Sequence, residues 1–253
     1  MACYDALSSW GRPCGIAIGF AADGGGSLSK LWTPLQAGAA SVFLSASVHA
    51  EVPWQPRECP RIDLSTHWKK EAKQVKFRDC NVAGAWAIEP TFIEDARGRF
   101  MRAWCRREFT EHGIDFTPVQ ANMGFSLQKG TIRGLHFQVA PALEAKLVRC
   151  TRGEIFDVVV DLRQSSPTYL SWYGLCLSAD NGRMLYVPEG CAHGCQSTAD
   201  NTEIHYMASA YYSPDHARGI RYDDPAIGIR WPLAVSLISE QDRNWPLLEP
   251  TRR

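Results

Sequence analysis

Beyond Pro118 the chain is punctuated by turn residues at short, even intervals. They are Gly153, Ser165-Ser166-Pro167, Asp180-Asn181-Gly182, Pro188-Glu189-Gly190 and Asp200-Asn201. Such residues accept positive φ, fix φ, or hydrogen-bond their own backbone. The intervals are roughly the 8–12 residues that a strand and its turn occupy in a sandwich or barrel. No helical pattern separates them, so the spacing predicts an antiparallel all-β domain rather than an α/β one. The segments between agree. Lys146-Leu147-Val148-Arg149-Cys150 alternates, which puts Lys146 on the face of Val148 and Cys150. Residues 154–162 form a run rich in β-branched and aromatic side chains, a strand signature.

Upstream the texture changes twice. Phe77-Arg78-Asp79 and Ala85-Trp86-Ala87-Ile88-Glu89-Pro90 read as short strands, with a turn at Asp95-Ala96-Arg97-Gly98-Arg99. Residues 104–112 are the one clear short helix, closed by Gly113 as its C′ residue. Before Val75 no period of 2 or 3.6 is sustained, and Gly24-Gly25-Gly26-Ser27 with Pro53, Pro56 and Pro60 resembles linker. The expected organisation is an irregular, poorly ordered extension over 1–74 and one folded domain over 75–253. Val75 is the expected natural start, with the upstream residues an over-extended reading frame.

Lys plus Arg and Asp plus Glu both number 27, so no excess charge points to a nucleic acid or an acidic membrane. Nine cysteines without a CxxC pair read as reduced thiols. No basic segment precedes Arg12, and the apolar stretches 16–22 and 37–50 fall short of the roughly 20 residues of a membrane span. The expected location is the cytoplasm.

Two stretches echo one another. Gly130-Thr131-Ile132-Arg133-Gly134-Leu135-His136-Phe137-Gln138 has the spacing Gly-x5-His. Gly182 followed by Pro188-Glu189-Gly190-Cys191-Ala192-His193 has Gly-x5-Pro-x-Gly-x2-His. These spacings are similar to the paired motifs of the cupin barrel. With Glu89-Pro90, Asp95-x-Arg97-Gly98-x-Phe100, Gln120-x-Asn122, Lys146-Leu147-Val148-Arg149, Ser166-Pro167-Thr168, Tyr206, Tyr211-Tyr212-Ser213-Pro214 and Arg218-Gly219-Ile220-Arg221-Tyr222-Asp223-Asp224-Pro225, residues 76–248 resemble the dTDP-4-dehydrorhamnose 3,5-epimerase family. The resemblance implies a cupin-type double-stranded β-helix (jelly-roll) barrel with a few short helices. It also implies an enzyme without metal or cofactor that epimerises a nucleotide-linked 4-keto-6-deoxyhexose at C3, C5 or both. The chain departs from the family at Cys195 (usually Phe), Met207 (often Lys), Tyr222 (commonly Trp) and Arg102 (Glu in many members).

Inverting a carbon beside a ketone requires a base on one face, an acid on the other, and positive groups at the enolate oxygen. By the resemblance His136 is the base, its plain alternative being a structural barrel histidine. Asp224 is the expected carboxylate orienting it, with Asp223 the rival and a turn before Pro225 the plain alternative. Tyr206 is the candidate acid, and Lys146, Arg133 and His193 the candidate partners of the enolate oxygen. An ammonium on an apolar strand face is expensive unless it meets a charge, which singles out Lys146. Arg97, Gln120 and Asn122 are expected to contact the nucleotide and diphosphate, and the resemblance implies that Arg97 and Phe100 reach a partner subunit's site in a homodimer. The rival enzyme class is a metal cupin using His136, His193 and Glu144. Gln138 in place of a second motif histidine, and Lys146 nearby, speak against it. A non-catalytic sugar-nucleotide-binding cupin is a further alternative.

Overall fold

The strand Glu154–Asp161 shows how the domain is layered. Ile155 and Val159 enter one buried cluster, while Phe156, Val158 and Val160 enter another on the opposite face. A strand covered on both sides has apolar residues on both faces, and its two fully buried carboxylates, Asp157 and Asp161, are hydrogen-bonded to His193 and Arg163. Each such apolar side chain taken from water contributes ~1.5–3 kcal/mol.

The computed structural model describes residues 75–248, so the expectations for 1–74 lie outside the described residues. In order they form β1 (Val75–Asp79), β2 (Trp86–Pro90), β3 (Ile93–Asp95), β4 (Gly98–Phe100), α1 (Arg106–Glu111), β5 (Gln120–Ser126) and β6 (Thr131–Gln138). Then come β7 (Lys146–Arg152), β8 (Glu154–Asp161), β9 (Trp172–Ser178), β10 (Met184–Val187), β11 (Cys191–Ser197), β12 (Thr202–Ala208), β13 (Ala217–Gly219), β14 (Leu237–Ile238) and α2 (Glu240–Arg243). One sheet has the order β1-β2-β10-β7-β12-β5 and the other β13-β6-β11-β8-β9, with β14 added parallel to β6. All other pairings are antiparallel. This is the expected all-β, cupin-type jelly roll.

Between the sheets lies a core of Val148, Cys150, Leu185, Val187 and Ile204 from the first and Ile155, Val159, Leu177, Cys191 and Cys195 from the second. Val148 and Cys150 face inward as the alternation requires. Outside the first sheet, Phe109, Ile114 and Phe116 cover Leu147, Met184 and Ile88. The outer face of the second carries Leu135, Val158, Val160 and Ala192 under Ile220, Ile227 and Trp231.

The helix is shorter than its expected span because Cys105 is extended (φ −150°, ψ 116°) and serves as N-cap, so Trp104 precedes the helix. Its end is as read from the sequence. Gly113 has φ +74° and donates to Thr110 O, while Ile114 donates to Phe109 O. Those two bonds are a Schellman motif.

Candidate active site

Strand β6 carries two side chains that a regular strand would send to opposite faces. Across from it, β11 pairs His193 with His136 and then Cys195 with Arg133. Two steps on β11 thus span three on β6, the signature of a bulge. The extra residue lets Arg133 and His136, three apart in sequence, both line one cavity of about 590 Å³. Close contact makes the bulge possible. A Cβ on Gly134 would lie 2.6 Å from Gly194 Cα, and one on Gly194 would lie 2.8 Å from Arg133 O. Only glycines fit at either position.

The carboxylate beside His136 is Asp242, not Asp224. His136 Nε2 is 2.6 Å from Asp242 Oδ1, and Gly134 N donates to Oδ2 at 3.2 Å. Trp245 Nε1 also donates to Oδ1, at 3.3 Å. Asp242 sits in α2, whose N-cap Ser239 accepts its backbone N–H. Burial pushes the Asp242 carboxyl upward, but the hydrogen bond and charge of His136, with the Gly134 and Ser239 contacts, hold it below its ordinary value. An ionised carboxylate can only accept, so Nε2 bears a proton toward Asp242, and in the neutral imidazole Nδ1 is the nitrogen left with a lone pair. His193 has a similar arrangement, its Nε2 lying 2.8 Å from the fully buried Asp157.

The facing sheet supplies the other wall. Lys146 Nζ lies 2.5 Å from Glu144 Oε1, and both side chains are buried. This is the charge an inward ammonium needs, and it commits Glu144 to the lysine. Tyr206 lines the same cavity, packed against the core between the sheets. Burial and the charge of Glu144 both push its phenol pKa up. Gln120 and Asn122 share a face of the edge strand β5, bonded to each other at 3.0 Å, and both reach the cavity. Gln138 is structural: its amide donates to Ala142 O and Tyr211 O and accepts from Ser213 N, tying two loops together.

Seven of the expected site residues therefore meet in one place: His136, Tyr206, Lys146, Arg133, His193, Gln120 and Asn122. Three do not. Asp224 is buried with its oxygens accepting from Ala226 N and Leu248 N, so it clamps the C-terminal segment to its own turn. Its rival Asp223 pairs with Arg221 on the surface. Arg97 projects from the β3–β4 turn against Asp95, and Phe100 ends that hairpin half exposed. Asp242, Asp157 and the Glu144–Lys146 pairing were missed. The available signal for Asp242 was Ser239-Glu240-Gln241-Asp242, a capping pattern that announces a helix near the C-terminus.

An imidazole–carboxylate pair on one wall, a phenol on the other and cations around the cavity are the groups that acid–base chemistry on a carbon next to a carbonyl requires. The family model of dTDP-4-dehydrorhamnose 3,5-epimerase matches residues 79–250, and the chain belongs to that family of isomerases. It is 44% identical over 179 residues to the dTDP-4-dehydrorhamnose 3,5-epimerase of Sinorhizobium fredii, covering 70% of this chain and 92% of the relative. The Bacillus anthracis dTDP-4-dehydrorhamnose 3,5-epimerase, solved with TDP and PPi bound, superposes with a TM-score of 0.67 at 40% identity. That match covers 69% of this chain and 99% of the other. The dTDP-6-deoxy-D-glucose-3,5-epimerase of Legionella pneumophila, solved with dTDP-4-keto-L-rhamnose, gives 0.65 at 36% identity over 68% and 92%.

Proposed function

We propose that this protein epimerises a dTDP-linked 4-keto-6-deoxyhexose at C3 and C5, as a step of rhamnose-type deoxysugar synthesis. The carrying observation is that His136 and Tyr206 line one cavity from opposite sheets. A sugar ring between them presents one face to each. His136 Nδ1 takes the proton from the carbon beside the ketone, and the C–H electrons move to the carbonyl oxygen as an enolate. Lys146, Arg133 and His193 stabilise that oxygen. Collapse of the enolate takes a proton from the Tyr206 hydroxyl on the other face, forming the inverted C–H bond. Tyr206 then regains a proton, and His136 releases its own, from and to solvent. Asp242 holds the reactive tautomer and offsets the imidazolium charge.

Gln120 and Asn122 serve the nucleotide end, and the protein works as a homodimer in which Arg97 and Phe100 of each copy reach the other's site. Their place on an outward hairpin, away from their own cavity, supports this. Binding of TDP by the Bacillus anthracis relative supports the nucleotide assignment.

Solvent-deuterium exchange at C3 and C5, measured beside inversion, tests the roles. His136→Ala should abolish both, because no enolate forms. Tyr206→Phe should retain exchange while inversion falls ~10²–10⁴-fold, the usual contribution of a general acid. Wild-type exchange in His136→Ala would sink the mechanism, and parallel loss of both signals in Tyr206→Phe would remove the separate acid.

A further inference from the structure

Asp242 is held by more than its own helix. The capping bond of Ser239 fixes its backbone, and Gly134 N holds Oδ2. That leaves Oδ1, the oxygen facing His136, whose other donor is the indole N–H of Trp245. The ring reaches this position because Gly219 has no side chain. A Cβ there would fall 2.2 Å from Trp245 Cε2 and 2.3 Å from Nε1. Gly219 is also the residue directly across the β13–β6 ladder from His136. The indole therefore lies over the gap beside the histidine, half-buried, and forms part of the cavity wall.

We infer that Trp245 is a positioning residue for the His136–Asp242 pair, and that Gly219 is the space reserved for it. This rests on His136 being the base. With two donors on Oδ1, the carboxylate cannot rotate about its Cβ–Cγ bond without breaking both. The direction of its bond to Nε2, and hence the aim of Nδ1, is thereby set. A charge-assisted bond to an ion is among the stronger protein hydrogen bonds, and its effect falls on proton abstraction rather than on binding the nucleotide.

Three variants separate this from simple packing. Trp245→Phe keeps an aromatic wall without the N–H. Replacement of Trp245 by 3-benzothienylalanine keeps the bicyclic shape, with sulfur where the N–H was. Gly219→Ala keeps the indole but displaces it. All three should lower kcat for solvent-deuterium exchange about tenfold or more, with KM for the nucleotide sugar unchanged. The benzothienyl variant should do so without a fall in Tm. Wild-type exchange in that variant, or a fall in Tm with exchange intact, would assign Trp245 to packing and overturn the inference. His136→Ala, run alongside, distinguishes the two readings. If it is inactive while the benzothienyl variant is unaffected, only the role of Trp245 fails. If it still exchanges, the base assignment itself fails.

Discussion

Asp242 keeps a charge where burial opposes one, and the contacts that keep it also link folding to pH. Its carboxyl lies below the ordinary 3.8 because His136, Gly134 and Ser239 stabilise the anion against the cost of burial. A group whose folded pKa is depressed adds stability above its unfolded value and loses it as pH falls through the folded one. Asp242→Asn should therefore be less resistant to urea than wild type at pH 7. The gap should narrow as pH drops below about 4 and the wild-type carboxyl takes up its proton. A constant gap from pH 7 to pH 3 would show that the aspartate's charge is not what stabilises it. Asp224→Asn should instead weaken the C-terminal clamp and leave deuterium exchange in place. The sequence favoured Asp224 because Asp-Asp-Pro sits inside a long motif, whereas Asp242 lies 106 residues from its histidine in a four-residue helix. His136, Lys146 and Tyr206 were legible because each stands in a motif the chain shares with the family it resembles, and for Lys146 the alternation of its strand also points inward. A pairing between distant segments leaves no such trace.

At the scale of elements, α1 shows how much local chemistry decides. Its end could be read from Gly113 alone, since few residues other than glycine accept φ near +74° without strain. Its start could not, because Cys105 caps it with no side-chain hydrogen bond and carries no sequence signal. Gly113→Ala should cost about 1 kcal/mol, read as a lower urea midpoint. Turnover should be unchanged, because α1 covers the outer face of the sheet and the cavity lies on the inner one. Loss of kcat in that variant would mean the outer layer governs the site. The bulge in β6 was likewise invisible beforehand. Strict alternation puts Arg133 and His136 on opposite faces, and only the register against β11 brings them together.

For the whole molecule, the two sheets divide the labour. One carries His136, Arg133 and His193, the other Tyr206, Lys146, Gln120 and Asn122. On the proposed mechanism, proton removal and return depend on how the sheets are held apart, which the core between them sets. The family match begins at residue 79 and the first described strand at Val75. We expect a protein of residues 75–253 to fold, to keep the oligomeric state of the full chain and to turn over as it does. Light scattering and an inversion assay on the truncated protein check this, and loss of either property would give 1–74 a role.

Gly134 and Gly194 touch backbone to backbone, and that has a bearing on how the family can drift. A clash between two side chains can be relieved by shrinking the neighbour, which leaves a two-step path through sequence space. Here one obstructing atom is a side-chain carbon, Leu135 Cδ2, but even with that removed a Cα and carbonyl oxygens, which every residue possesses, still stand in the way. No second-site change restores the fit. The two positions are frozen by geometry rather than by chemistry, and they would stay glycine in a descendant that had lost His136.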